Sequence, residues 1–359
     1  MRIAVLGGGH GCYAAAADLS EQGHEVRLWR RDAAALAPVA ERGRIVLRDQ
    51  RGRREVPLAL ASADLGAAVR GAELILVPTP AFAQADIARA LAPHLSDGQV
   101  VFLPPGTFGS YVMARAQRDA GNRADVAFAE TGTLPYLARK HGPAEVAITT
   151  RATRLPTGVF PASAGARARA LIARAYPSIE PVEDALSGAL MNAGPIIHPP
   201  LIIMNAGPLE HSERFDIHAE GTQPSVRRVT DALDAERIAL REALGYAAPH
   251  FPLSDHYDSD RWMYGNAHDQ LVDSGDWREH IDLATHRYLR EDVAYGLALL
   301  VSVADWAGRP CPVARGLLAI GGAIAGEDFT RGPRTLAALG LDTLDRAAMR
   351  RLLEAGFDA

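Results

Sequence analysis

Lysine and cysteine are scarce in this sequence. Lys140 is the only lysine, so nearly all of the positive charge is arginine and lysine chemistry is excluded elsewhere in the chain. Two cysteines, Cys12 and Cys311, cannot build a disulfide framework or a thiolate metal cluster. This scarcity fits a reducing compartment, and we expect a cytoplasmic protein without a bound metal.

Long apolar runs and basic blocks are also absent. No uninterrupted apolar run reaches the roughly 18 residues that a membrane span needs, and the first residues begin a strand pattern rather than a signal peptide. The net charge of −5 contains no basic block, so we expect neither a membrane nor a nucleic acid as partner. With 48% hydrophobic residues, the 359-residue chain is long enough for two globular domains.

The first thirty residues predict a dinucleotide-binding unit. An apolar strand, Ile3–Leu6, runs into a glycine-rich turn, and an alanine-rich helix and a second strand, Glu25–Trp29, follow. Glycines let the backbone approach a pyrophosphate, and the helix start favours its negative charge. The third glycine of the usual pattern is replaced by Cys12, which we expect to be a small buried side chain. The cofactor residues predicted here are Gly7, Gly9, His10 and Gly11.

The end of the second strand bears on the choice of cofactor. An acidic residue here would bind a ribose 2′-hydroxyl, but the chain reads Trp29-Arg30-Arg31-Asp32. Arg30 and Arg31 suit a 2′-phosphate and favour NADP(H). NAD(H) stays possible, since Asp32 could take the acidic role and the arginines could be surface charges.

The pattern of strand, turn and helix then repeats. Residues 44–47 and 55–60 predict a hairpin, and further strands are predicted at 73–77, 100–103 and 126–129. Open α/β sheets bind ligands at the carboxyl ends of their strands, so the loops that follow are candidate sites. We therefore expect a doubly wound Rossmann-type α/β domain over residues 1–185. Pro78 and Thr79 are predicted to contact the cofactor, and Glu130 and Thr133 the substrate.

The remainder of the chain has helical periodicity. Pro224 opens a helix that Gly245 ends, and further helices are predicted at 288–306, 312–325 and 344–355. We expect an all-α domain over residues 186–359. Residues 250–277 are rich in Asp, His, Tyr and Trp without a metal-ligand spacing, and they predict a long loop over a pocket.

His198 is the one titratable side chain in a long uncharged run. No other charged residue lies between Asp184 and Glu210, so any charged group that tunes this imidazole comes from a distant part of the sequence. A histidine paired with a carboxylate is a natural general acid and base near neutral pH. The alternative is a buried histidine bonded to a backbone carbonyl.

Five segments together resemble the octopine/nopaline (opine) dehydrogenase family. They are the glycine-rich turn, 130–136 (ETGTLPY), 192–200 (NAGPIIHPP), 215–245 and 287–296 (RYLREDVAYG). The resemblance implies that a 2-oxo acid, such as pyruvate, is reductively condensed with the amino group of an amino acid, using NADH or NADPH. It also implies an acid/base pair of His198 and Asp292 and a substrate-binding Arg287, with Asn192 near the substrate.

The chemistry of these residues agrees with the resemblance. Asp292 is predicted at the start of a helix, whose dipole would keep it ionised and favour a charged imidazole. The planar guanidinium of Arg287 suits a carboxylate. The alternatives are a helix-terminal charge for Asp292 and a surface ion pair with Glu291 for Arg287.

Two rival functions remain at this stage. One is an NADP-dependent 2-oxo acid/2-hydroxy acid oxidoreductase similar to ketopantoate reductase, although those enzymes use a lysine in the second domain and this chain has none after Lys140. The other is a catalytically silent nucleotide-sensing protein, because a fold does not fix a function. We expect a monomer or a homodimer that binds only small molecules.

Overall fold

The computed structural model describes residues 1–274, Trp277 and residues 280–358. The chain divides into two compact units. The sheet unit comprises Met1–Thr79, Ala83–Ala189 and the chain from Leu352 onward, and the helical unit comprises Pro80–Phe82 and Leu190–Arg351. The division after Ala189 lies slightly beyond the boundary predicted at residue 185. The sequence did not predict that two short segments belong to the other unit.

An eight-stranded sheet forms the centre of the sheet unit, in the order β12-β11-β8-β7-β6-β1-β2-β5. Its parallel strands are continuous apolar runs because both faces of such a sheet are covered. Only β11 and β8 pair antiparallel within it. The strands are β1 (Arg2–Leu6), β2 (Glu25–Trp29), β3 (Arg44–Asp49), β4 (Gly52–Pro57), β5 (Leu60–Ser62), β6 (Leu74–Leu76), β7 (Val100–Leu103), β8 (Ala127–Thr131), β9 (Tyr136–Lys140), β10 (Glu145–Arg151), β11 (Leu155–Phe160) and β12 (Ile179–Pro181).

A second sheet, in the order β4-β3-β10-β9, packs against the first helix. The predicted hairpin is its β3–β4 pair, which turns at Asp49 and Gly52. The sequence predicted neither β9 nor its antiparallel pairing with β10. Helices of this part of the chain are α1 (His10–Glu21), α2 (Ala33–Arg42), α3 (Leu65–Val69), α4 (Ala81–Leu91), α5 (Gly109–Asp119), α6 (Gly165–Ala173) and α7 (Ala185–Ala189).

The helical unit confirms the predicted helical second domain. Its longest helix begins at Pro224, whose missing N–H needs no helical partner, and ends before Gly245 at φ 88°. The predicted helix over 288–306 is a π-helix, Tyr288–Leu297, followed by an α-helix. The α-helices are α8 (Gly194–Met204), α9 (Ala206–His211), α10 (Pro224–Leu244), α11 (Asp255–Asp258), α12 (His268–Asp273), α13 (Ala298–Trp306), α14 (Pro312–Ala325) and α15 (Arg346–Ala355).

One stretch has the length and composition of a membrane span. Among the described residues, this is Ala185–Met204, in which an 18-residue window has a mean hydropathy of 1.2 and 72% of that window is buried inside the protein. The sequence analysis did not single it out. Such burial is typical of a core helix.

Candidate active site

His198 is held in the first half of α8. Pro199 and Pro200 follow it inside the helix and are buried, whereas the imidazole keeps 17% of its side-chain surface exposed. Proline lacks a backbone N–H, so these two positions donate no bonds to the preceding turn. The two prolines are thus buried in the core, while part of the His198 ring stays accessible.

The imidazole contacts a carboxylate from far along the chain. His198 Nδ1 lies 2.7 Å from Asp292 Oδ2, across 94 sequence positions. Asp292 belongs to the π-helix, and only 5% of its side chain is exposed. The contact orients the ring and makes Nε2 the nitrogen that faces away from the acid. The prediction that a charged partner of His198 comes from a distant part of the sequence is confirmed, and this partner, Asp292, lies within the helical unit.

Two glycines allow α8 and the π-helix to approach each other. A Cβ at Gly194 would lie 2.4 Å from Asp292 Oδ1, and one at Gly296 would lie 2.2 Å from Pro195 Cγ. Real Cβ atoms do not come so close to other atoms, so larger residues would separate the helices. Both glycines fall within the segments that carry the family resemblance.

Tyr288 supports the pair from the face of the ring. Its phenol ring stacks on the His198 imidazole, with centroids 3.7 Å apart and planes inclined by 10°. The Tyr288 hydroxyl lies 3.2 Å from His218 Nε2. Tyr288 and His218 were missed by the sequence analysis. The signal for Tyr288 was its place four residues before Asp292, which puts both on one side of a helix.

The electrostatics of Asp292 differ from the sequence-based expectation. Burial raises the pKa of this carboxyl from 3.8 to about 7, and Arg287 counteracts part of the shift. The expectation that the helix start keeps Asp292 ionised was wrong. The acid is the fifth residue of its helix and is removed from water, so desolvation dominates.

Arg287 precedes the π-helix and is half exposed. Its Nη2 lies 3.2 Å from Glu291 Oε2, so the ion pair considered as an alternative is present. Glu291 is buried, so the pair is not a surface ion pair. Its Oε1 accepts a hydrogen bond from Ala81 N at 3.0 Å. Burial raises the pKa of Glu291, while Arg287 lowers it. Glu291 thus anchors one side of the guanidinium, whose exposed surface can meet a substrate carboxylate.

The glycine-rich turn forms a narrow cradle at the end of β1. Gly7 has φ +124°, and a Cβ there would lie 2.6 Å from Thr79 Cγ2. A Cβ at Gly11 would lie 2.7 Å from Leu134 Cδ1. The Thr79 Oγ1 atom is buried without a hydrogen-bond partner among the described atoms. A backbone cradle with a hydroxyl in need of a partner fits the phosphates of a dinucleotide.

Cys12 lies where the pattern usually has a third glycine. The thiol is fully buried and contacts the carbonyl oxygens of Leu6 and Pro78 at 3.6 and 3.5 Å. Burial raises its pKa to about 12. The prediction of a small buried side chain is confirmed.

The three residues after β2 have different environments. Arg30 lies over Gly8, where a Cβ would come within 2.7 Å of Arg30 Cδ. Arg31 has 82% of its side chain exposed and lies 3.9 Å from Asp86. The Asp32 carboxylate accepts a bond from Ala35 N at 3.0 Å and caps α2. Arg30 is therefore the residue of this triplet that contacts the glycine-rich turn.

Glu130, a predicted substrate residue, lies at the end of β8 and contacts the start of α5. It is fully buried, and its two oxygens accept hydrogen bonds from Phe108 N and Ser110 N, both at 2.8 Å. This carboxylate holds the turn at the start of α5, and its contact with a substrate stays a prediction.

Of three other predicted residues, Asn192 and His10 make local hydrogen bonds and Thr133 is buried. Asn192 Oδ1 accepts from Gly194 N at 3.0 Å at the start of α8. Thr133 is buried in the loop between β8 and β9. His10 Nδ1 accepts from Lys140 N at 2.8 Å. Within the part of the chain that is described, no group of three His, Cys, Asp or Glu side chains could hold a metal ion.

Comparisons with known proteins match both units. Residues 181–325 match the family described as "NAD/NADP octopine/nopaline dehydrogenase, alpha-helical domain", and residues 3–130 match "Ketopantoate reductase PanE/ApbA". An opine dehydrogenase of Arthrobacter sp. (strain 1C) is 29% identical over 358 residues, which is 98% of each chain. The second half of the chain thus resembles the α-helical domain of octopine/nopaline dehydrogenases, and the whole chain is similar to an opine dehydrogenase. His198 and Asp292 both lie in the segment that matches the family's α-helical domain.

Further known proteins are similar to this chain over most of its length. A vitopine synthase of Allorhizobium ampelinum is 27% identical over 288 residues, 77% of each chain. A structure of octopine dehydrogenase with NADH and pyruvate has a TM-score of 0.73 at 19% identity and covers 98% of both chains. A yersinopine dehydrogenase with NADP⁺ has a TM-score of 0.68 at 17% identity and covers 100% of this chain and 99% of its own. The predicted two-domain fold is thus confirmed.

The close approach at Gly194 yields a first prediction. Gly194→Ala places a Cβ against Asp292 Oδ1 and should lower kcat/KM by about 10- to 100-fold, since small displacements of a catalytic group have effects of that size. The clash opposes the gain of about 1 kcal/mol in helix propensity that alanine has over glycine, so the activity is measured well below the melting temperature of the variant. Gly316→Ala in α14 is the matched control, because a Cβ there meets open space. Equal activities of the two variants would contradict this role of Gly194.

The raised pKa of Asp292 yields a second prediction. The folded-state pKa of about 7 exceeds the ordinary value of 3.8, so the folded protein binds the proton more tightly than the unfolded chain does. The contribution of Asp292 to the free energy of unfolding is therefore greatest below pH 3.8. It is lost as the pH rises through the window from 3.8 to about 7. Asp292→Asn removes that dependence, and its melting temperature should increasingly exceed that of the wild type towards neutral pH. Exposed Asp342→Asn is the control, and a constant difference across the window would refute the prediction.

Proposed function

We propose that this chain catalyses the NAD(P)H-dependent condensation of a 2-oxo acid with the amino group of an amino acid, or the reverse oxidation. The product is an opine, an N-(1-carboxyalkyl) amino acid. We further propose pyruvate as a suitable 2-oxo acid and the cytoplasm as the location. Two buried thiols, Cys12 and Cys311, support a reducing compartment.

The observation that carries the proposal is the buried contact between His198 Nδ1 and Asp292 Oδ2 at 2.7 Å. An acid with a pKa near 7 shares protons with an imidazole of similar ordinary pKa, so the pair can gain and lose a proton near neutral pH. Proton gain and loss near neutral pH are both required, because the condensation releases water and the reverse reaction consumes it. Arg287 lies five residues before Asp292, and its positive charge suits the carboxylate of a 2-oxo acid.

The residues of the helical unit would act in sequence on the substrates. Arg287 binds the carboxylate of the 2-oxo acid, with its other side held by Glu291. His198 transfers one proton from the attacking amine to the carbonyl oxygen, which gives the carbinolamine, and then transfers the remaining amine proton to its hydroxyl, which leaves as water and gives the imine. Asp292 holds the ring orientation and stabilises its protonated form. A bound nicotinamide supplies the hydride that reduces the imine carbon.

For the cofactor, NADP(H) is the better fit and NAD(H) is the alternative. Gly7, Gly9 and Thr79 would hold the phosphates, because a side chain at Gly7 would clash with Thr79, Gly9 leaves open space at the helix start, and Thr79 Oγ1 lacks a partner. Arg30 lies on the turn and suits a 2′-phosphate, whereas the Asp32 carboxylate already caps α2. Similar solved structures contain either NADH or NADP⁺.

The experiment is a spectrophotometric screen of NADPH and NADH oxidation with pyruvate and each amino acid in turn. We expect oxidation to depend on both substrates and the product to be a secondary amine by mass spectrometry. Equal oxidation without an amine would favour a simple 2-oxo acid reductase. Tight cofactor binding without oxidation by any combination would favour a nucleotide sensor.

A third prediction assigns the chemistry to His198. His198→Asn should lower kcat by about 10²- to 10⁴-fold, the usual loss when a general acid/base is removed. The dissociation constant for NADPH should stay unchanged, because no cofactor residue is altered. Exposed His211→Asn in the same unit is the control and should keep full activity. Near-normal turnover in His198→Asn would remove this residue from the mechanism.

A further inference from the structure

The only lysine of the chain lies at the glycine-rich turn. Lys140 ends β9, and its Nζ donates a hydrogen bond to the Gly8 carbonyl oxygen at 3.3 Å. The ammonium also lies 3.6 Å from the ring centroid of Tyr13. The backbone N–H of Lys140 donates to His10 Nδ1, which ties the end of β9 to the first residue of α1. The position of this lysine is therefore fixed by contacts at both its backbone and its side chain.

A second cation contacts the same glycine. A Cβ at Gly8 would lie 2.7 to 2.9 Å from the Cδ, Nε and Cζ atoms of Arg30. The Arg30 side chain therefore occupies the space that any side chain at position 8 would need. Its Nη1 donates to Ala35 O at 3.2 Å, which holds it there. The pKa of Lys140 is lowered by burial first and by the charge of Arg30 second. The two cations are thus close enough to repel each other.

Neither cation is neutralised by a neighbouring acid. Among the described residues, Arg30 and Lys140 bond only to carbonyl oxygens and to the Tyr13 side chain. Other arginines of the sheet unit are paired, such as Arg54 with Asp49 at 2.8 Å. Two adjacent cations without a carboxylate, next to a helix N-terminus, form a site that an anion would stabilise.

We propose that Lys140 and Arg30 together bind the adenosine 2′-phosphate of NADP(H), and that Lys140 sets the preference for NADP(H) over NAD(H). This rests on the cofactor part of the proposed function. The end of β2 is where the adenosine ribose binds in this fold, and Lys140 reaches the glycine that Arg30 covers. A phosphate monoester carries almost two negative charges near neutral pH, which two cations match.

The first test compares dissociation constants in the absence of substrate. Lys140→Gln keeps an N–H donor for the Gly8 carbonyl but loses the charge. We expect the affinity for NADPH to fall by about 10- to 100-fold, the usual value of a hydrogen bond to a charged group, and the affinity for NADH to change little. Lys140→Arg should retain the preference for NADPH. Arg123→Gln is the control, because Arg123 is exposed and lies before the amino end of β8, away from the glycine-rich turn at the carboxyl end of β1.

The second test uses the wild type and the uniqueness of this lysine. An amine-reactive reagent can modify only Lys140 and the N-terminal amine, and peptide mass spectrometry separates them. Adenosine 2′,5′-bisphosphate should protect Lys140 from modification, whereas adenosine 5′-monophosphate should not. This result does not depend on whether Lys140→Gln folds.

The outcomes separate this proposal from the proposed function. Equal losses of NADPH and NADH affinity in Lys140→Gln, or equal protection by both nucleotides, would assign Lys140 to another phosphate and overturn the proposal. An unchanged NADPH affinity would overturn it as well. A wild type that prefers NADH would contradict the cofactor choice itself, while amine-dependent oxidation would still support the opine reaction.

Discussion

The contact between a buried carboxyl and an imidazole is the constraint on which the helical unit depends. Asp292 and His198 meet at 2.7 Å only because α8 and the π-helix approach closely, and Gly194 and Gly296 provide the room. Tyr288 fixes the ring from its face. Packing, helix geometry and chemistry are therefore determined by the same few positions, which explains why they fall in the segments that resemble the family.

Burial gives this contact its chemical character. Desolvation raises the pKa of both Glu291 and Asp292, and Arg287 opposes the shift in each. The pair and the arginine thus form one electrostatic unit in which each charge affects the protonation of the others. A substrate carboxylate at Arg287 would weaken its effect on Asp292 and favour proton retention by the pair. In the proposed mechanism, Arg287 would therefore couple substrate binding to proton transfer.

Local patterns in the sequence predicted much of the fold. Pro224 and Gly245 marked the bounds of α10, and the glycine-rich turn identified the βαβ unit. The partner of His198 came from the family resemblance, because no local pattern specifies a contact across 94 positions. Three features could not be predicted. They are the hydrogen bonds of Glu130 at the start of α5, the π-helical form of Tyr288–Leu297 and the position of Lys140 on β9. Each of these features depends on tertiary contacts, which produce no periodic pattern of residues in the sequence.

The most direct test of the central claim is the pH dependence of kcat/KM for amine-dependent NADPH oxidation in the wild type and in Asp292→Asn. If the His198–Asp292 pair supplies the acid/base group, the wild type shows an ionisation near neutral pH that the substitution shifts or removes. An ionisation that is the same in both proteins would contradict the account, because the catalytic proton would then belong to another group.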